Sequence, residues 1–138
     1  MKNPIIVLTT MFLVLFGTVQ AQDFNPEKNN YLVLSKNIQQ LKPAMLTASA
    51  LAKEDGEQYG DFYMVICGKT VQDIPHNDDF KRLLKEAKAH NMNVFVCGLS
   101  LSKFNINPNE IPKNLEITQN GILYGFQLSK KGFIALTI

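Results

Sequence analysis

The chain has 138 residues, with 14 Lys and Arg against 12 Asp and Glu and a formal net charge of +2. So even a balance gives no electrostatic case for a nucleic-acid partner or an anionic membrane surface. Two cysteines, Cys67 and Cys97, are too few for a disulfide scaffold, and their spacing matches no zinc motif.

Residues 1–21 read as an export signal. Lys2 supplies a positive start, Ile5 to Phe16 is an apolar run too short to span a bilayer comfortably, and Val19-Gln20-Ala21 sets small residues before a cleavage point after Ala21. Cleavage leaves 138 − 21 = 117 residues, residues 22–138, enough for one domain with its own core. The mature protein is expected to be periplasmic or secreted, with no stable membrane insertion, and with no lipid anchor, since Gln22 and not a cysteine stands directly after the cleavage point.

Residues 22–30 form a polar lead-in arm. Tyr31 to Leu34 is a continuous apolar run, as in a strand buried on both faces. Pro43 suits the first turn of the helix that follows, whose many alanines suit close packing against a sheet or another subunit. Asp61 to Cys67 is the second strand, and Thr70 to Ile74 a helical turn before Pro75. Asn77 is an N-cap, and Phe80, Leu83, Leu84 and Ala87 share one buried face of the next helix, with Asn91 suited to its left-handed end. Val94 to Cys97 is the third strand, Ser100 to Phe104 a turn or two of helix, and Leu115 to Thr118 a short fourth strand. Ile122 to Lys131 reads as a helix with Leu123, Phe126 and Gln127 inward, and Phe133 to Ile138 as the last strand. Alternation of this kind predicts an α/β domain: a mostly parallel sheet with helices on both faces, joined by right-handed crossovers.

Neither GxGxxG nor GxxxxGK[ST] occurs, so no nucleotide or flavin cofactor is expected. No GxSxG elbow occurs either. His90 suits a helix C-terminus and His76 lies in a polar loop; neither marks a metal site. The cysteines remain. VICG and VFVCG each put a cysteine at the carboxyl end of an apolar strand just before glycine, so both thiols belong to the same edge of the sheet. In Asn93 to Leu101, Gly98 is expected to allow a tight turn and Ser100 to cap a helix facing Cys97. Parallel sheets bind ligands at that edge, and a helix N-terminus lowers a thiol pKa. Two buried small hydrophobes would give the same pattern.

At this point the residues resemble the DsrE/DsrF-like family, which includes the sulfur-relay subunit TusD and YchN-like proteins. The likeness covers nearly all of residues 22–138. It rests on YLVLS, the alanine-rich helix after it, Cys67-Gly68, the stretch VFVCGLSLSKFNI with apolar Leu101 four residues past the cysteine, and the tail NGILYGFQLSKKGFIALTI. The resemblance implies a three-layer α/β/α domain with five parallel strands in an order like 4-3-2-1-5, and a homo-oligomer, trimer or hexamer, or an assembly with related subunits. It also implies that Cys97 carries sulfur as a persulfide; the Gly98 to Ser100 amides and the short helix dipole would then support the thiolate at the substrate, and Cys67 would be a neighbouring or resolving thiol that family members need not have. The chain departs from the family in its export signal and at Cys67, where related exported sequences commonly have histidine.

The family-like order would set the second and third strands side by side, ~4.8 Å apart, within the ~4.4–6.8 Å Cα separation of a disulfide. A flavodoxin-like order, 2-1-3-4-5, would separate them by ~10 Å. Proximity of Cys67 and Cys97 is expected on the first order, with a reversible disulfide as its extension. Two functions stay open: a sulfurtransferase-like persulfide carrier, and a non-catalytic oligomeric binding or assembly module with structural cysteines. A thiol–disulfide oxidoreductase ranks below both, for want of a CxxC motif.

Overall fold

Three apolar runs in the chain become the three inner strands of a five-stranded, all-parallel sheet. The structure, a computed structural model, describes residues 24–138; the expected signal, residues 1–21, lies outside the described residues. The strands are β1 (Asn29–Ser35), β2 (Tyr59–Ile66), β3 (Met92–Cys97), β4 (Glu116–Thr118) and β5 (Ile134–Thr137), in the order β4-β3-β2-β1-β5. The helices are α1 (Leu41–Asp55), α2 (Asp78–Ala89), α3 (Gly98–Lys103) and α4 (Gly121–Lys130). This is the expected three-layer α/β/α arrangement, with the 4-3-2-1-5 order. No helix among the described residues is long and apolar enough to cross a membrane.

The layering follows from the direction of travel. From β1 through β4 the chain steps one way across the sheet, and crossovers of a single hand put the intervening helices on one face. There Leu41, Ala44, Met45 and Ala48 of α1, Phe80, Leu84 and Ala87 of α2, and Leu101 of α3 share a core with Val33, Met64, Ile66, Val94 and Val96. The return from β4 at one edge to β5 at the other reverses direction, so the same hand sends α4 over the opposite face. Leu128 and Tyr124 pack there with Leu32, Tyr63, Val65, Phe95 and Phe133.

Two local readings hold in detail. Asn77 caps α2 by accepting the Phe80 N–H at 2.9 Å, and Asn91 closes that helix with φ 55°. One reading is out of phase. Leu123 and Phe126 are not inward but 53% and 66% exposed, and Gln127 is exposed too; Gly121, Gly125 and Leu128 are the buried positions of α4. Small residues at 121 and 125 let the helix backbone lie close on the sheet: a Cβ at Gly125 would stand 3.1 Å from Leu34 Cδ1. The larger side chains are thereby turned outward.

Asn30 is a buried polar residue in β1, only 1% exposed. Its Nδ2 donates to the Asn25 and Lys28 carbonyls at 2.8 and 3.1 Å, and its Oδ1 accepts the Asp61 N–H at 2.8 Å. It therefore ties the lead-in arm to β2. Each orphaned buried polar group costs ~1–3 kcal/mol, so Asn30→Ala is expected to lose about 3 kcal/mol of stability. Urea unfolding with an unchanged m-value checks this.

Candidate functional site

Side chains alternate along a strand, so residues two apart share a face. Val65 and Phe95 face α4, and Cys67 and Cys97 follow each of them by two residues. Ile66 pairs with Val96, which sets the two cysteines side by side as the strands end. Cys67 keeps the ladder going by donating its N–H to the Ser35 carbonyl at 2.9 Å. Both are free thiols, Cys97 buried (4% exposed) and Cys67 partly exposed.

The group that joins them is the first residue of α4. Asn120 caps this helix, its Oδ1 accepting the N–H groups of Ile122 and Leu123 at 3.1 Å. The Gly121 N–H is thereby left to donate to Cys97 Sγ, at 3.3 Å. A Cβ at Gly121 would lie 2.6 Å from Cys67 Sγ, 2.9 Å from Val65 Cγ1 and 3.1 Å from Cys97 Cβ. Both thiols pack against this bare Cα.

The two sulfurs are not equivalent. Burial pushes Cys97 up, but the Gly121 N–H, the Ser100 hydroxyl and N–H, and the Cys67 thiol all donate to it, and together they hold it below its ordinary 9.0. Burial pushes Cys67 up to about 12, reinforced by the Cys97 charge and the hydrogen bond between the thiols; Lys36 opposes the shift. Of the two, Cys97 is therefore the first to ionise, with Cys67 keeping its proton as the donor between them. Hydrogen bonds aimed at the charged form outweigh desolvation at one sulfur and are missing at the other.

Ser100 is not the cap of α3. Cys97 itself stands at the N-cap position, without a side-chain capping bond, and Ser100 sits in the first turn. Its Oγ accepts the Gly68 N–H at 2.8 Å while it supports Cys97, linking the end of β2 to the thiolate. Gly98 makes no positive-φ turn either. It starts α3 where a Cβ would press on the Thr118 and Gln119 carbonyls at 3.3 and 3.2 Å. The Leu99 N–H is taken by the Gln119 carbonyl at 3.0 Å, so the N–H groups at Cys97 are those of Ser100 and Gly121. His76 and His90 are exposed, and neither belongs to the cleft at the thiols. Among the described residues no three His, Cys, Asp or Glu side chains are grouped to hold a metal.

A cleft of about 430 Å³ opens between α4 and β5. Cys67 lines it together with Lys36, Leu34, Ile122, Phe126 and Thr137, whereas Cys97 does not reach it. Gly121 and Lys36 escaped the sequence reading. The Asn-Gly pair opening α4 was the available signal for the first; nothing local signals the second.

No protein-family model matches the chain, and no curated protein matches it. Among solved structures it is similar to a protein of unknown function, MTH1491 from Methanobacterium thermoautotrophicum, with TM-score 0.64 and 8% identity over 80% of this chain and 99% of that one. That likeness is one of fold.

Thiolate absorbance is expected to rise in two steps. The first lies below pH 9.0 and disappears in Cys97→Ser; the second comes near pH 12 and disappears in Cys67→Ala. Between 9.0 and about 12 the unfolded chain ionises Cys67 and the folded chain does not, so this group lowers stability as pH rises; Cys67→Ala should reduce that slope in denaturation measured across the window. Gly121→Ala should cost about 1–3 kcal/mol through overpacking. It should also move the first step upward as the Gly121 N–H leaves Cys97.

Proposed function

We propose that this protein is an exported member of the DsrE/DsrF-like family that holds sulfane sulfur as a persulfide on Cys97. The observation that carries the reading is the pair of adjacent strand-end thiols under the start of α4: the Gly121 N–H donates to Cys97 Sγ at 3.3 Å, which favours the ionised form of Cys97 over that of Cys67. The β4-β3-β2-β1-β5 order supports it as well.

In this reading the Cys97 thiolate attacks the outer sulfur of a donor persulfide or polysulfide. The donor's S–S bond breaks, its remaining sulfur leaves as a thiolate, and Cys97 holds the new S–SH group. An acceptor thiolate then takes the outer sulfur, and the Cys97 thiolate leaves into the same N–H and hydroxyl donors. A low pKa that slightly weakens the nucleophile also makes it the better leaving group, which suits a carrier that must release what it binds.

A second reading, a non-catalytic assembly module, is favoured by the apolar surface on α4 and β5. Ile122, Leu123, Phe126, Ile134 and Leu136 are each more than half exposed. The α4 residues lie on one face of the sheet, while Ile134 and Leu136, paired with Tyr31 and Val33, lie on the α1 face; exposed apolar groups of this kind mark interaction surfaces. Assembly as a trimer or hexamer is compatible with both readings.

Mass spectrometry of polysulfide-treated protein tests the carrier. One added sulfur atom is expected on the Cys97 peptide of the wild type and none on that peptide in Cys97→Ser. Protein that forms oligomers but leaves Cys97 unmodified would point to the assembly module.

A further inference from the structure

We propose that sulfur reaches Cys97 through Cys67: the cleft between α4 and β5 binds an anionic polysulfide against Lys36, Cys67 takes its terminal sulfur, and Cys97 receives it from Cys67. This rests on the carrier reading above and supplies its donor class and route.

The geometry sets the order. Cys97 is 4% exposed and lies outside the cleft, whereas Cys67 forms part of its wall. A donor arriving from solvent meets Cys67 first. Gly121 presses its backbone on both thiols, and Cys67 and Cys97 share a hydrogen bond, so a sulfur atom on Cys67 is already beside Cys97. The cleft wall is apolar at Leu34, Ile122, Phe126 and Ala135, with Lys36 its one charged lining residue among the described residues. Such a wall suits a soft, weakly hydrated chain of sulfur atoms with a charged end, and the volume lies at the small-ligand end of the usual ~300–1,000 Å³.

The chemistry balances without an added oxidant. As Cys67 Sγ bonds to the terminal sulfur of a hydropolysulfide, its proton passes to the Cys97 thiolate along their hydrogen bond. The donor's terminal S–S bond breaks, and the shortened polysulfide leaves, carrying that proton away from Cys97. The Cys97 thiolate then attacks the outer sulfur of the Cys67 persulfide. The bond from Cys67 to that sulfur breaks, and the persulfide proton returns to Cys67. The net change is one sulfur atom moved from the polysulfide to Cys97, with Cys67 again a thiol.

The test is timed loading with inorganic polysulfide, read by mass spectrometry of each cysteine peptide. Cys97→Ser is expected to accumulate sulfur on Cys67, and Cys67→Ser to load Cys97 at least about tenfold more slowly than wild type, as a buried thiol without its exposed partner should. In the Cys97→Ser background, Lys36→Met should slow polysulfide loading about fivefold, the effect of one partly screened charge, and leave the rate at which neutral dimethyl trisulfide transfers its methylthio group to Cys67, with methyl persulfide leaving, unchanged. Lys36 is exposed and both members of this comparison carry Cys97→Ser, so their ratio reports Lys36 alone. Wild-type loading of Cys97 in Cys67→Ser overturns the relay and leaves the carrier standing. Sulfur that stops on Cys67 in the wild type overturns both. An equal slowing of anionic and neutral donors by Lys36→Met overturns the anionic cleft.

Discussion

The return of the chain from β4 to β5 is the constraint on which the site depends. These strands occupy opposite edges of the sheet, so the connection has to cross it, and it does so on the face that the earlier crossovers leave bare. Leaving β4, α4 starts above the carboxyl ends of β3 and β2. Its first N–H therefore arrives at Cys97 Sγ and its first Cα against Cys67 Sγ. A glycine is needed there because the gap between helix and thiols has no room for a Cβ.

From that contact follows the inequality of the two thiols. They come from matching sequence contexts, VICG and VFVCG, and end on the same face of adjacent strands. Burial opposes a charge on Cys97, but the N–H groups of Gly121 and Ser100 and the Ser100 hydroxyl outweigh it. Cys67 is more exposed, yet it meets a negative neighbour and only one opposing cation, Lys36. Exposure and ionisation thus run in opposite senses across the pair, because donors outweigh desolvation at Cys97 while desolvation at Cys67 is opposed by Lys36 alone.

The same helix shows how apolar patterning misleads when small residues make the contact. Leu123 and Phe126 are the conspicuous hydrophobes of α4, and a helix lying on a sheet normally turns such residues inward. Gly121 and Gly125 form the contacting stripe instead, and close approach of backbone to sheet substitutes for side-chain burial. The displaced hydrophobes become an exposed apolar surface on α4, where Ile122 and Phe126 reach the cleft.

The sequence by itself determined the alternation of strands and helices, the N-cap at Asn77, and the arrival of both cysteines at one edge of the sheet. All of these are short-range: they depend on periodicity, capping chemistry and punctuation by glycine and proline. Even the strand order was legible only through resemblance, since local pattern does not say which strands are neighbours. Tertiary structure alone decided that Gly121, 24 residues beyond Cys97, would donate to its sulfur. It also decided that Ser100 would hold Gly68 and Cys97 in place of capping a helix, and that Lys36 would stand at Cys67. Those contacts join residues whose separation along the chain carries no periodic signal. They exist because one reversed crossover closes the fold over the strand ends.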